Sequence, residues 1–404
     1  MKKLFLLFGL CVTLLLLWSC KSDLPEVPKD AEVTFQLKVP LGVEGTITEA
    51  TGELTSRSDG KVLPISFKEG KAVLHLVQGE PYAMKVMCRF ECKGALAEIE
   101  YKEDFVVEAK DKSDRTCQLM WEMPTESFVI SEIFFAGSRN SKGEQYDEDK
   151  YLKITNNSPV TRYLDGLALV KSLWQSDEKV EAKPDVRTTH FVTDLVMQFP
   201  GTGREYAVKP YESVILCHSA IDHTKENPNS IDLSNANFEW MSDKGYTDSE
   251  TPDNPKVPNM KLVFISDPYG DGTENWTMST NGQNTYAIVD LQGKTAQDLV
   301  KECTYTYKEV MIIEGMDPME LDGHPALKLP NEWVLDAVNL GMTNEKQWLP
   351  ISEKLDAGYA KVADELNDDT RYGKKVVRKS LSEGSKVLKD SNNSTEDFVA
   401  KELK

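Results

Sequence analysis

The sequence lacks the short motifs by which many enzymes are recognised. It has no GxxxxGK(S/T) phosphate loop and no HExxH zinc helix, and no serine lies in a nucleophile elbow. Histidine is scarce, with five in 404 residues, whereas 66 acidic residues are spread along the chain. Because carboxylates occur everywhere, no pair stands out as the acid and base of a glycosidase. The sequence therefore favours a non-enzymatic protein, and a hydrolase with an unrecognised site is the alternative.

An excess of positive charge is also missing. The formal net charge is −19 at pH 7. An acidic surface repels the phosphates of nucleic acids, so we expect no nucleic acid partner. Cations, basic peptides and neutral glycans remain as ligand classes that this charge allows.

No hydrophobic run is long enough to be a retained transmembrane helix. Leu4–Trp18 is apolar apart from Thr13 and spans about 15 residues, short of the ~20 that a bilayer requires. The run ends in LWSC, which resembles a bacterial lipobox. We predict that residues 1–19 are a lipoprotein signal peptide and that Cys20 becomes the lipidated first residue. Ordinary secretion with cleavage elsewhere is the alternative.

Residues 20–30 are polar and contain two prolines, and we interpret them as a short tether. Acidic residues soon after the lipidated cysteine resemble the surface-export signal of Bacteroidota-type lipoproteins. The predicted location is the outer membrane, with a lipid anchor and exposure at the cell surface. Which membrane face is used stays open.

Cysteine is sparse, and its number is odd in the predicted mature chain. Of seven cysteines, Cys11 leaves with the signal peptide and Cys20 is lipidated, so at least one of the remaining five lacks an intramolecular partner. Cys88 and Cys92 lie on one predicted strand about 13 Å apart, beyond the ~7 Å that a disulfide allows. Cys117 is the candidate partner for one of these two.

Alternating apolar and polar residues dominate the chain. Runs such as EVTFQLKV and YAMKVMCRF in 31–123 predict strands, and their spacing predicts a β-sandwich of about 90 residues. After a boundary at Met123-Pro124-Thr125, similar runs continue over 126–404. We predict an all-β protein of two β-sandwich domains, immunoglobulin-like, with a few short helices and long loops.

Only a few segments depart from the strand pattern. Short helices are predicted in TAQDLVKECTY, in NEWVLDAVNLG and around Ser234–Trp240. Long loops are predicted at 172–190 and 222–260. Because loops on a rigid β scaffold commonly carry binding residues, we expect a ligand or partner to bind there.

From residue 126 onward, the chain resembles a family of uncharacterised Bacteroidota-type surface lipoproteins, a domain of unknown function. The stretches that carry the resemblance are FVISEIFFAGS, DKYLKITNNS, YLDGLALV, IDHTKENPNSIDLSNANFEW, NEWVLDAVNLG and DSNNSTEDF. The resemblance implies an outer-membrane context and a role beside a TonB-dependent transporter. It supplies no catalytic residues.

Several of the same stretches also resemble a lamin-tail-type domain, an immunoglobulin-like sandwich of secreted bacterial proteins. They are the ISE strand, the LDG turn and the closing DSNNSTEDF. Relative to that domain, residues from about 170 to 330 form a large insertion. The resemblance implies a role in attachment or binding.

Two stretches contain residues that can ligate metals. His218, Asp222 and His223 could hold a transition metal, although their spacing is neither helical nor that of a zinc finger. Asp267 and Asp271 lie in the glycine-bearing DPYGDGTENW, where a hard cation such as Ca²⁺ could bind, although the spacing is not that of an EF-hand. Structural roles and a simple glycine-rich turn are the alternatives, and no cofactor is required.

Aromatic side chains offer a second kind of candidate site. Trp174, Trp240, Trp276 and Trp348 lie in or near predicted loops, where exposed rings could stack on sugars or seat a partner. Core packing is the alternative for each. The predicted function is a lipid-anchored binding or accessory module that assists TonB-dependent uptake of a nutrient or metal, and glycan binding or adhesion is the nearest alternative.

Overall fold

The computed structural model describes most of the chain after the predicted tether. The described residues are 29–41, 43–92, 95–121, 127–240, 253–266, 276–311, 317–341, 348–365 and 367–404. Cys20, Asp267 and Asp271 lie outside them, so the predictions on these residues stay predictions. No helix of the described part has the length and apolarity to cross a membrane.

The described chain divides into two compact units. The first comprises the described residues up to Trp121 except 43–45 and 91–97. The second comprises those two segments and the described residues from 127 to Lys404.

The first unit is a β-sandwich. Its sheets have the orders β4-β1-β7 and β3-β2-β5-β6, and β1 pairs antiparallel with β4 and parallel with β7. The strands are β1 (Asp30–Lys38), β2 (Thr46–Ser56), β3 (Val62–Ser66), β4 (Lys71–Val77), β5 (Pro81–Cys92), β6 (Ala95–Val106) and β7 (Lys112–Gln118).

Alternation along the strands produces the core of this unit. Val33, Phe35 and Leu37 of β1 point inward, since residues two apart lie on one face of a strand. Phe35 meets Phe105 of the opposite sheet edge-on, with ring centroids 5.7 Å apart. Cys117 holds a free, buried thiol, so the predicted disulfide to Cys88 or Cys92 is wrong. Burial raises the pKa of Cys117 to about 11, which withholds the thiolate that exchange requires.

The second unit begins with a strand that is buried along its whole length, FVISEIF. Its strands are β8 (Phe128–Phe134), β9 (Ser138–Arg139), β10 (Gln145–Tyr146), β11 (Tyr151–Asn156), β12 (Arg162–Tyr163), β13 (Leu167–Ser172), β14 (Ala182–Lys183), β15 (His190–Gln198), β16 (Ala207–Val208), β17 (Ser213–Cys217), β18 (Phe238–Glu239), β19 (Lys261–Ile265), β20 (Thr285–Asp290), β21 (Thr304–Tyr305), β22 (Lys308–Met311), β23 (Met319–Asp322), β24 (Ala326–Pro330), β25 (Val334–Asn339), β26 (Lys374–Arg378) and β27 (Phe398–Glu402).

Two large sheets form the body of the second unit. One has the order β18-β17-β11-β8-β26-β27, and the other has the order β21-β24-β15-β13-β20-β25 with β19 also paired to β15. Ile130 and Ile154 of the first sheet and Leu169 and Ile288 of the second belong to one buried cluster. The all-β, sandwich-type prediction is therefore confirmed.

Helices are few and short among the described residues. They are α1 (Ala296–Cys303), α2 (Ser394–Asp397) and the 3₁₀ turns His223–Lys225, Asn331–Trp333 and Asp369–Arg371. Thr295 and Asp298 begin α1 with a reciprocal capping box. Leu299 of α1 packs on the face of the second large sheet that lies away from the main core.

The helix predictions are confirmed in one case and wrong in two. TAQDLVKECTY contains α1, as its caps and apolar spacing indicate. NEWVLDAVNLG has one 3₁₀ turn and then forms β25, because pairing with β20 overrides the short helical pattern. The stretch Ser234–Trp240 forms turns and the short strand β18.

A buried ionic cluster joins the two large sheets. The Arg378 guanidinium donates from Nη2 to both oxygens of Asp336 at 2.7 Å and from Nε to the Ile130 carbonyl at 2.9 Å. Its Nη1 donates to Asp390 Oδ1 at 3.2 Å, and Asp397 Oδ2 lies 3.6 Å from that atom. The side chains of Arg378 and Asp336 are each only 2% exposed. This cluster holds β8, β25 and the C-terminal segment together.

We predict that Arg378→Met destabilises the second unit by about 3–5 kcal/mol, because it leaves buried carboxylates without their cation. Urea unfolding followed by tryptophan fluorescence measures this change. The control is Arg204→Met, at an exposed arginine of the same unit, which should change the free energy of unfolding by less than about 0.5 kcal/mol. A similar small loss for Arg378→Met would contradict the role of the cluster.

Candidate functional site

An aromatic cluster lies where β13 ends. Trp174 follows β13 and is buried, and it meets Tyr305 and Tyr307 edge-on at centroid distances of 6.4 and 5.7 Å. Those two tyrosines share one face because they are two residues apart, and their rings stack 4.7 Å apart. Trp348 packs against Trp174 at 6.4 Å. The cluster forms a rigid aromatic base.

Trp348 is fixed in place although it is only half-buried. Its indole Nε1 donates to the Gln175 carbonyl at 2.7 Å, and its backbone N–H donates to the Ser176 carbonyl at 3.0 Å. The Arg187 guanidinium lies 4.5 Å from the centre of the indole ring, a cation–π contact. Hydrogen bonds and ring contacts therefore leave Trp348 little freedom.

Arg187 is itself held from two sides. It donates to both oxygens of Asp185, from Nε at 2.9 Å and from Nη2 at 2.6 Å, and from Nη1 to the Leu349 carbonyl at 3.0 Å. The guanidinium holds the pKa of Asp185 below its usual value. This partly exposed pair adds little to stability, so its main effect is to orient the guanidinium plane.

A surface groove of about 460 Å³ opens beside Trp348 and Arg187. This volume falls within the range of small-molecule sites. Its floor is aromatic and aliphatic, and its rim carries exposed charged and hydroxyl groups. The lining residues are Lys179, Asp185, Arg187, Thr188, Trp348, Leu349, Ile351, Ser352, Glu353 and Lys354.

Sequence reasoning missed most of this groove. Loop 172–190 is among the predicted binding loops and supplies Arg187, and Trp348 is among the candidate aromatics. Asp185, Arg187 and Thr188 follow no motif, and their partners in 348–354 lie far along the chain. No local pattern in the sequence could have paired these segments.

The other three candidate tryptophans are core residues. Trp174, Trp240 and Trp276 are 5%, 0% and 6% exposed. Trp240 and Trp276 pack on each other with centroids 5.1 Å apart, inside the cluster that fills the sandwich. The prediction that these rings present open faces to a ligand is wrong, because each is covered by neighbouring side chains.

The predicted transition-metal ligands do not converge. His223 is buried, its Nε2 donates to the Ser219 carbonyl at 2.9 Å, and its Nδ1 therefore accepts from the Tyr146 hydroxyl at 2.8 Å. Asp222 caps the following 3₁₀ turn and accepts from the Thr224 N–H. His218 lies parallel to Trp240, with ring centroids 5.6 Å apart. This geometry corrects the metal-site prediction, and the described residues contain no group of three His, Cys, Asp or Glu suited to a metal.

The burial of His218 makes the stability of the second unit depend on pH. Burial lowers the pKa of His218 to about 4, below the ~6.5 of an unfolded histidine. Between pH ~6.5 and 4, the unfolded chain therefore binds more protons at this histidine than the folded chain does. The contribution of His218 to the free energy of unfolding is complete above pH ~6.5 and is lost as the pH falls toward 4.

We predict that the wild-type protein loses about 3 kcal/mol more stability between pH 7 and 4 than His218→Phe, which keeps an aromatic ring on Trp240 but cannot be protonated. Urea unfolding at a series of pH values measures the difference. His324→Phe, at an exposed histidine, is the control and should follow the wild type. Parallel profiles for wild type and His218→Phe would contradict the prediction.

The fold and the groove define an all-β, sandwich-type protein with a groove on its surface. Residues 209–404 match a family described as a protein of unknown function, DUF4876. The chain is also similar to the crystal structure of a DUF4876 family protein from Bacteroides thetaiotaomicron, with a TM-score of 0.58 and 22% sequence identity over 91% of this chain and 94% of that chain. At this identity the likeness establishes the fold alone. No curated protein matches the chain.

Proposed function

We propose that the protein is a non-enzymatic binding module, lipid-anchored at the outer membrane of a bacterium, and that the groove beside Trp348 holds its ligand. The observation that carries the proposal is the fixed aromatic platform. Trp348 is held by hydrogen bonds at 2.7 and 3.0 Å and by the Arg187 guanidinium at 4.5 Å. A platform ordered before binding lowers the entropy that a ligand has to overcome.

The chemistry of the groove favours binding over catalysis. Among its lining residues there is no histidine or cysteine. The carboxylate nearest to the platform is that of Asp185, and its lowered pKa suits an ion pair rather than a proton donor near neutral pH. The buried histidines His218 and His223 are not among the lining residues of the groove. A hydrolase with its site elsewhere is the alternative.

The sequence supports the proposed location. The apolar start that ends in LWSC and the acidic, proline-bearing tether favour a lipid anchor at Cys20 and display at the cell surface. In that setting, a binding module can deliver its ligand to an outer-membrane transporter. An accessory role beside a TonB-dependent transporter is therefore part of the proposal, and adhesion is the second candidate.

The anchor is tested by Cys20→Ala in the producing bacterium. We expect the wild type to incorporate labelled fatty acid and to fractionate with the outer membrane. The variant should incorporate none and should leave the membrane fraction, because its acyl chains are lost. Cys11→Ala, inside the predicted signal peptide, is the control and should behave as wild type. Membrane retention of the unlabelled Cys20→Ala protein would contradict a lipid anchor.

The groove is tested by filling it. Thr188 is exposed on the groove rim, and Thr188→Trp should occlude the groove without changing the core.

The partner is tested by co-purification. We expect a β-barrel transporter to co-purify in stoichiometric amount with the tagged wild type from native outer membranes. Uptake of the transporter's substrate should fall in cells that carry Thr188→Trp. The control, Thr202→Trp on the exposed 201–205 loop, should leave uptake unchanged. Equal uptake in both variants would remove the groove from the proposal.

A further inference from the structure

We infer that the ligand of the groove is a neutral carbohydrate. This inference rests on the proposed function and names the class of ligand for the same site. It comes from the shape of the platform, the kinds of groups on the rim, the charge balance and the local backbone. Each of these observations narrows the ligand class in a different way.

The platform suits a flat, partly apolar ligand. The guanidinium of Arg187 lies over the Trp348 indole, 4.5 Å from the centre of the ring, and Leu349 lines the groove with them. A pyranose ring has a face of C–H groups that packs on such a surface, and a rim of hydroxyl groups around it. The side chain of Arg187 is 22% exposed, so part of it remains accessible to a ligand.

The rim suits hydroxyl groups. Thr188, Glu353 and Lys354 are exposed at the edge of the groove, and Lys179 is exposed on the same rim. Together they offer hydroxyl, carboxylate and ammonium groups, which supply both donors and acceptors. Vicinal hydroxyls of a sugar use donors and acceptors at the same time, whereas a simple anion uses donors only.

The charge balance suits a neutral ligand. Three cationic residues line the groove, Lys179, Arg187 and Lys354, against the two carboxylates of Asp185 and Glu353. Asp185 already neutralises Arg187 through two hydrogen bonds. The remaining Lys179, Lys354 and Glu353 leave a net charge of only +1, so the groove lacks the concentrated positive field that a polyanion requires.

The backbone of the groove disfavours an extended peptide. None of the lining residues lies in a strand, because they occupy turns and irregular segments on either side of β14 and in 348–354. A peptide that binds by strand addition needs a free strand edge with a row of N–H and C=O groups. The groove therefore presents side chains and an aromatic surface to a ligand, and it presents no strand edge with which a peptide could pair.

The test measures the binding of defined oligosaccharides and of one peptide to the full mature chain. Isothermal titration is carried out with neutral hexasaccharides built on glucose, mannose or xylose, with a sulfated oligosaccharide, and with an arginine-rich peptide. The variants are Trp348→Ala, Trp348→Phe and the paired surface change Glu353→Gln with Lys354→Gln. Trp333→Ala is the control, since Trp333 lies in the same unit but does not line the groove.

We expect at least one neutral hexasaccharide to bind, with affinity reduced at least tenfold by Trp348→Ala, partly restored in Trp348→Phe and unchanged in Trp333→Ala. The paired surface change should also weaken binding, and it cannot act through the core because both residues are exposed. Two outcomes would overturn the inference while the proposed function survives: binding only of the sulfated probe, or binding only of the peptide, in either case lost in Trp348→Ala. If no probe binds in a Trp348-dependent way and Thr188→Trp also leaves uptake unchanged, the inference and the proposed site both fall.

Discussion

The second unit depends on one buried ionic interaction, the contact of Arg378 with Asp336. Burying two charges is costly unless each is fully hydrogen-bonded, and here the guanidinium reaches carboxylate and carbonyl oxygens on three segments. Asp336 in turn accepts from the Ile130 N–H at 2.6 Å. Because Arg378 lies on β26 and Asp336 on β25, their contact links the two facing sheets. The stretches FVISEIFF, NEWVLDAVNLG and DSNNSTEDF, which carried the family resemblance, supply the groups around Arg378, namely Ile130, Asp336, Asp390 and Asp397.

A second buried polar cluster is centred on the carboxylate of Asp356. Asp356 is fully buried and accepts from the N–H groups of Asn339, Gly358 and Ser394. This carboxylate connects the end of β25 to α2 and to the segment that follows Trp348. The groove segment 348–354 is thus attached directly to buried polar contacts of the core. A binding surface that is made of irregular segments can be preformed only if such contacts hold their ends.

Much of the fold follows from local sequence. Period-two alternation identified the strands of the first unit, and the Thr295–Asp298 capping box identified α1, because both signals act over a few residues. The helix predicted in NEWVLDAVNLG is wrong because contacts with distant residues decide its conformation. It pairs with β20 as a strand, and its Asp336 binds Arg378. The same limit applies to the site. Whether a tryptophan is covered depends on distant segments, so Trp240 and Trp348 look alike in sequence but differ in burial. The 173-residue separation between Trp348 and Gln175 explains why the groove could not be found from either segment alone.

The strand order of the larger unit has a consequence for biogenesis. β8 lies between β11 and β26, so the first strand of the unit completes its pairing only when residues 374–378 are available. The two strands lie far apart in the sequence, so their pairing has to close a long loop, and contacts of this kind form slowly. Until β26 docks, one edge of the buried, apolar β8 has no partner, and such an open edge is prone to pair with another chain.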